Sequence, residues 1–312
     1  MALKLKPLNQ QVVVITGASS GIGLATAIAA ADQGAKVVLA ARSAQTLDAI
    51  VQDIVAFGGE AVAVKADVGQ REDVERIAQT AIGRFGRIDT WINDAAVSIY
   101  GRIDEIDDAD SRRLFETNFW GVVYGSLVAL PHLKANGGAL INIGSEASEA
   151  AIPLQGMYSA SKHAVKGFTD SLRVEMHADK APISITLIQP TAVDTPYPEH
   201  AANYLSQEPK LPTPMIEPEK VASAILDAAV DPVHHIKVGT MSKLNTTMSA
   251  LMPRIAERMA KSYMGKQQRD EPPKHGLQGS LYKASEDGRT HGRGNENAAD
   301  KKEAMESNVR PA

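Results

Sequence analysis

QVVVITGASSGIG, residues 11–23, sets an apolar, β-branched run directly against three glycines. The run 11–16 has the composition of a strand buried on both faces. Gly17, Gly21 and Gly23 allow a tight turn and a close approach of backbone to a ligand, with Ser19, Ser20 and Ile22 between them. Behind them, 21–33 is alanine-rich and favours a helix. A strand, a glycine turn and a helix N-terminus together offer free N–H groups to an anion, which suits a pyrophosphate. The spacing is GxxxGxG rather than the common GxGxxG. A plain glycine-rich turn is the competing reading, and the flanking strand and helix favour nucleotide binding.

The same alternation continues downstream. Strands are predicted at 36–41, 61–66, 88–93, 138–144 and 183–189, with a short one at 235–238. Helices are predicted at 44–57, 71–85, 111–134, 157–178 and 219–229. Apolar strands alternating with helices imply an α/β fold, a doubly wound parallel sheet covered on both faces. We place this catalytic domain at 1–240. Beyond it, Met241, Leu244, Met248, Leu251, Ile255 and Met259 recur at helical spacing, with Pro253 splitting an amphipathic extension over 241–266. Residues 267–312 are polar and glycine-rich, and a disordered tail is expected there.

At the end of the second strand the chain reads Ala40-Ala41-Arg42-Ser43. An acid there would bind a ribose 2′-hydroxyl, whereas the Arg42 guanidinium suits a 2′-phosphate, so NADP(H) is expected over NAD(H). Tyr158 and Lys162 lie four apart on one helical face. A nearby ammonium favours the phenolate, which makes the pair a general acid/base for alcohol–carbonyl interconversion. Ser145 ends the fifth strand, where ligands of parallel α/β sheets bind, and can reach a substrate oxygen.

TGASSGIG at 16–23, Asp67-Val68, Asn118 within TNFWG, Ser145 and YSASK at 158–162 together resemble the classical short-chain dehydrogenase/reductase family, of the NADP-preferring type. The resemblance spans about residues 11–240 and implies a Rossmann fold with a seven-stranded parallel sheet. It implies that Tyr158 exchanges a proton with the substrate oxygen and that Lys162 lowers the Tyr158 pKa and holds the nicotinamide ribose. It further implies that Ser145 orients the carbonyl and that Asn118 holds a water behind Lys162. Asp67 and Val68 would meet adenine, Asn93 and Ala95 would line the cofactor, and Val193 and Thr195 would meet the carboxamide. Two motifs depart from the family pattern, at three positions. Asp94 and Ala96 stand in an Asn-Asn-Ala-Gly motif, and Thr191 replaces the glycine after Pro190.

Residues 194–218 hold six prolines and read as a lid. Tyr197, Tyr204, Leu205, Leu211 and Met215 suggest a bulky or apolar carbonyl or alcohol substrate, and equally suit plain packing. The extension 241–264 has three readings: packing on its own domain, extending the lid or an oligomer interface, and, weakest, contact with a membrane surface through Arg254, Arg258, Lys261 and Lys266. By family analogy, the helices at 111–134 and 157–178 pair in a homodimer or homotetramer. The net charge of −4 gives no reason to expect a nucleic acid partner, and the absence of cysteine excludes disulfides and thiolate metal sites. The histidines do not form a metal-ligand spacing. With no signal-peptide pattern and no long apolar run, a cytoplasmic protein is expected. The alternative to an enzyme is a non-catalytic NADP(H)-binding scaffold or redox sensor, motivated by Asp94 and Thr191.

Overall fold

The structure, a computed structural model, describes residues 3–274, 276–286 and 288–292. Seven strands form one sheet among them: β1 (Val12–Thr16), β2 (Lys36–Ala41), β3 (Glu60–Lys65), β4 (Thr90–Asn93), β5 (Gly138–Ile143), β6 (Ile183–Pro190) and β7 (His235–Val238). Their order is β3-β2-β1-β4-β5-β6-β7 and every pairing is parallel. The helices are α1 (Gly21–Asp32), α2 (Ala44–Ala56), α3 (Arg71–Phe85), α4 (Asp108–Phe115), α5 (Gly121–Asn136), α6 (Gly156–Ala178), α7 (Tyr197–His200), α8 (Pro218–Val230), α9 (Thr240–Leu251) and α10 (Pro253–Tyr263). This is the doubly wound parallel sheet expected from the strand periodicity, with the seven strands of the Rossmann fold that the resemblance implies.

The strand pleat sorts successive residues to opposite faces. Val13, Ile15, Val37 and Leu39 join one core with Leu24 of α1, Leu47 of α2 and Ile225 of α8. Val12, Val14, Val38 and Ala40 join the other with Ile77 of α3, Leu133 of α5 and Leu172 of α6. Strand order reverses between β1 and β4, which opens a crevice beyond their carboxyl ends. Gly17 turns the chain there at φ +74, and a Cβ on it would lie 2.8 Å from the Ala95 backbone.

Between α4 and α5 the helix does not stop but widens into a π turn, Glu116–Trp120, where the Gly121 N–H reaches back to the Glu116 carbonyl. The C-terminal extension forms as α9 and α10, divided before Pro253 as expected. Part of the expected tail, 267–292, lies among the described residues. Where described, this segment packs on the domain: Leu281 is fully buried and the Ser280 N–H donates to the His200 carbonyl at 2.7 Å. One apolar anchor and backbone hydrogen bonds to an already folded surface replace the broad apolar face that composition lacks. The remainder of the expected tail, 293–312, lies outside the described residues.

Candidate active site

A cavity of about 890 Å³ opens at the crevice. It runs from Gly17, Ser19, Ser20, Gly21 and Ile22 past Arg42, Asp67 and Val68 to Ser145, Tyr158 and Lys162. Ala95, Val193 and Thr195 also line it. The residues singled out in sequence therefore converge, with three exceptions. Gly23 lies beneath the turn, where a Cβ would meet the Gly17 carbonyl. Asn118 sits behind the cavity wall, fully buried. Asn93, expected to line the cofactor, turns its side chain into the sheet: Nδ2 donates to Asn142 Oδ1 at 2.9 Å and Oδ1 accepts from Trp91 Nε1 at 2.8 Å. Asn142 in turn donates to Thr169 on α6, so this buried chain ties β4 to β5 and α6.

Asn118 is aimed by the π turn. Its Oδ1 accepts from the Val97 N–H at 2.8 Å, and its Nδ2 donates to the Val97 carbonyl at 2.9 Å and to Ser161 Oγ at 3.1 Å. It thereby clamps the strand-end loop to the helix that carries Tyr158 and Lys162. Lys162 Nζ donates to the Ile143 carbonyl at 2.8 Å and lies 5.7 Å from the Tyr158 ring centre. Burial pushes the Lys162 ammonium well below its ordinary value, and the Asp94 carboxylate opposes that push. Asp94 itself is driven up by burial, against Lys162 and a hydrogen bond from the Gly23 backbone. The departure at residue 94 thus places a carboxyl group in electrostatic contact with the site lysine.

Tyr158 lies in the cavity wall. Burial pushes its pKa up to about 12, with hydrogen bonds from Ser145 and Tyr197 pulling the other way and the charges of Asp94 and Glu146 adding to the rise. The Lys162 ammonium, held by the Ile143 carbonyl, is not among the largest influences on it.

Two neighbours escaped the sequence reading of catalysis. Tyr197 stacks edge-on against Tyr158 with ring centres 5.6 Å apart, and its hydroxyl lies 2.7 Å from Ser98 Oγ and 2.9 Å from Gln155 Oε1. In sequence it reads only as an apolar lid residue. Glu146, next to Ser145, is buried and its carboxyl is raised by that burial. Its Oε2 accepts from Thr191 Oγ1 at 3.2 Å and from Asn245 Nδ2 at 3.0 Å. The departure at Thr191 therefore has a partner, and through Glu146 it ties α9 to the site. A charged residue beside the predicted Ser145 was the available signal, but its partner lies about a hundred residues away.

Apolar side chains also line the cavity, Ile152, Leu154, Leu211, Met241, Met248 and Met259 among them, beside the polar Asn245, Glu257, Lys261 and Gln267. α9 docks through Ser242, whose Oγ donates to the Gln189 carbonyl at 2.8 Å, and methionines of both α9 and α10 line the cavity. Glu217, Glu219 and His291 approach one another closely enough to hold a cation, but they are exposed or half-buried acidic and imidazole groups without further sign of a ligand. Among the described residues no helix is long and apolar enough to cross a membrane.

The family model described as short chain dehydrogenase matches residues 11–204. Over 286 residues the chain is 47% identical to the uncharacterized oxidoreductase YxnA of Bacillus subtilis, spanning 90% of this chain and 80% of that protein. A short chain dehydrogenase/reductase from Burkholderia phymatum, solved in complex with NAD, superposes with a TM-score of 0.69 at 25% identity, covering 87% of this chain and all of that one. An alcohol dehydrogenase from Thermococcus sibiricus, solved with 5-hydroxy-NADP, gives a TM-score of 0.65 at 27% identity, covering 73% and 95%.

Proposed function

The chain belongs to the short-chain dehydrogenase/reductase family, and on that premise we propose that it interconverts a secondary alcohol and its carbonyl using NADP(H), with Tyr158 as general acid/base. The observation that carries this reading is the meeting of Ser145, Tyr158 and Lys162 on one cavity wall, with Asn118 bracing it from behind. The cavity fits a dinucleotide by its donor set: a helix N-terminus and the Arg42 guanidinium at one end, a phenol and an ammonium at the other. When bound, a nicotinamide dinucleotide supplies or accepts the hydride. The residues 17–22 would hold its pyrophosphate, Arg42 its 2′-phosphate, Asp67 and Val68 its adenine, and Val193 and Thr195 its carboxamide.

In the reducing direction Ser145 donates a hydrogen bond to the substrate oxygen, and Tyr158 transfers its proton to that oxygen as the carbonyl becomes an alcohol. At neutral pH the phenol carries its proton, which the acid role requires. In the oxidising direction the phenolate must form, and Lys162 would favour it once its ammonium leaves the Ile143 carbonyl and faces the phenol. The methionines of the cavity wall support a bulky, apolar substrate. Trp120, Leu127 and Val174, exposed on the α4–α5 and α6 surface, support pairing of subunits there as a dimer or tetramer.

Tyr158→Phe removes the proton and leaves the packing. NADPH oxidation across a panel of bulky ketones should fall by about 10²–10⁴-fold, while NADPH binding, read by its fluorescence, stays within about twofold. Full turnover in that variant would exclude the mechanism. Binding without turnover of any ketone, aldehyde or quinone by the unmodified chain would favour the scaffold or sensor instead.

A further inference from the structure

Arg42 is not free in this fold. Its Nη1 donates to the Leu281 carbonyl at 3.1 Å and its Nη2 to the Ser280 carbonyl. The Leu281 carbonyl also accepts from Arg113 Nε at 3.2 Å. Farther along the same segment, the Arg289 carbonyl accepts from the Gly21 N–H at 2.9 Å, at the N-terminus of α1. Main-chain oxygens of the C-terminal segment thus sit on two of the donor groups that a phosphorylated dinucleotide needs. Ser280, Ala284 and Ser285 form part of the cavity wall.

The segment is anchored rather than draped. The Leu281 side chain is fully buried in a cluster with Val97, Ile106, Leu114 and Ala202. The Tyr282 hydroxyl donates to Asp110 Oδ1 at 2.7 Å, and Arg289 pairs with Glu199 at 2.8 Å. Gly279 adopts φ +47 where a Cβ would meet the Ala201 carbonyl at 2.3 Å, so the course of the strap is written into its residues.

We infer that the strap at 277–286 is a specificity element of the nucleotide site: its Ser280 and Leu281 carbonyls compete with a cofactor 2′-phosphate for Arg42, so that NADP(H) unlatches this stretch and NAD(H) leaves it latched, while the Arg289 carbonyl gives up the Gly21 N–H to the pyrophosphate of either. The inference rests on the reading that this groove binds nicotinamide dinucleotides. Its physical basis is the difference between acceptors. A phosphate makes charge-assisted, bidentate bonds with guanidinium that are roughly twice as strong as bonds to neutral carbonyls. A ribose hydroxyl has no such advantage. Linkage makes the coupling reciprocal: whatever loosens the strap must strengthen NADP(H) binding by the factor with which NADP(H) loosens the strap.

The test uses the full chain. Hydrogen exchange of the strap amides, Ser280 in particular, is followed without ligand, with NAD⁺ and with NADP⁺. Exchange should speed up with NADP⁺ and stay unchanged with NAD⁺. In parallel, Leu281→Asp pulls the anchor, and NADPH should then bind about tenfold tighter relative to NADH, a coupling of ordinary size. Tyr282→Phe, on a half-exposed side chain, removes one latch bond with little risk to folding and should shift the ratio in the same direction by less. Arg42→Ala should abolish the ratio change produced by Leu281→Asp. Equal slowing of strap exchange by both dinucleotides, or equal weakening of both by Leu281→Asp and Tyr282→Phe, would overturn the competition and make the strap a simple cover. Failure of either dinucleotide to bind the unmodified chain would instead overturn the nucleotide reading, and this inference with it.

Discussion

Asn118 sits in a helix yet behaves as a loop residue, because the π turn from Glu116 to Trp120 accommodates one extra residue and swings the amide onto Val97 and Ser161. π turns inside helices are frequent at functional sites for this reason. Asn118→Ala leaves the buried Val97 N–H and carbonyl without partners. We expect a stability loss of about 2–4 kcal/mol, measured by urea unfolding, together with reduced turnover. A loss under about 1 kcal/mol would mean that water replaces the amide in full. Tyr158 makes the complementary point. Its spacing from Lys162 shows that the two can meet, but its protonation follows from burial and from Ser145 and Tyr197, neither of which the spacing contains.

At the scale of elements, α6 is both the carrier of the acid/base pair and a strut. Asp170 on α6 binds Lys166 at 2.7 Å and Arg173 at 2.7 Å within the helix, and His235 of the edge strand β7 at 2.8 Å. Burial raises the Asp170 pKa, but the Lys166 and Arg173 hydrogen bonds and the His235 charge outweigh it and hold the group at about 2. The unfolded chain releases that proton near the ordinary carboxylate value of about 3.9. The contribution to stability is therefore complete above about pH 4 and is lost as pH falls through about 2. Asp170→Asn should lower the melting temperature at pH 7 by roughly 2 °C, the size expected for a partly screened cluster in a chain of this length. The gap to the unmodified protein should close as pH falls toward 2, and a constant gap in scanning calorimetry would show that the ion pairs are not its origin.

At the scale of the molecule, the C-terminal quarter completes a cavity that the sheet alone would leave open. The α9–α10 hairpin lines the cavity with Met248 and Met259, and the strap lines it with Ser280 and Ser285. Filling the cavity at Met248 separates large substrates from small ones. Met248→Trp should raise KM for a bulky apolar ketone at least tenfold, by analogy with the cost of overpacking, about 1–3 kcal/mol, and leave a three- or four-carbon ketone near its original value. An equal change for both would place the substrate elsewhere in the cavity.

What could be read in the residues was what depends on near neighbours in the chain. Strand and helix periods, the glycine turn at 17–23, the split at Pro253 and the four-residue step from Tyr158 to Lys162 are set by local sterics and hydrogen bonding, and the sheet follows from them. What could not be read depends on distant partners meeting. Asn93 faces inward because Asn142 and Trp91 receive it. Tyr197 reaches Tyr158 only when the lid folds back over the strand ends. Arg42, which lines the cavity, is engaged by carbonyls 238 and 239 residues downstream, in a segment whose composition pointed to disorder. Backbone oxygens are the same in every sequence, so nothing in the residue string announces where they will be used; that is settled when the folded surface offers Arg42 and Gly21 as donors.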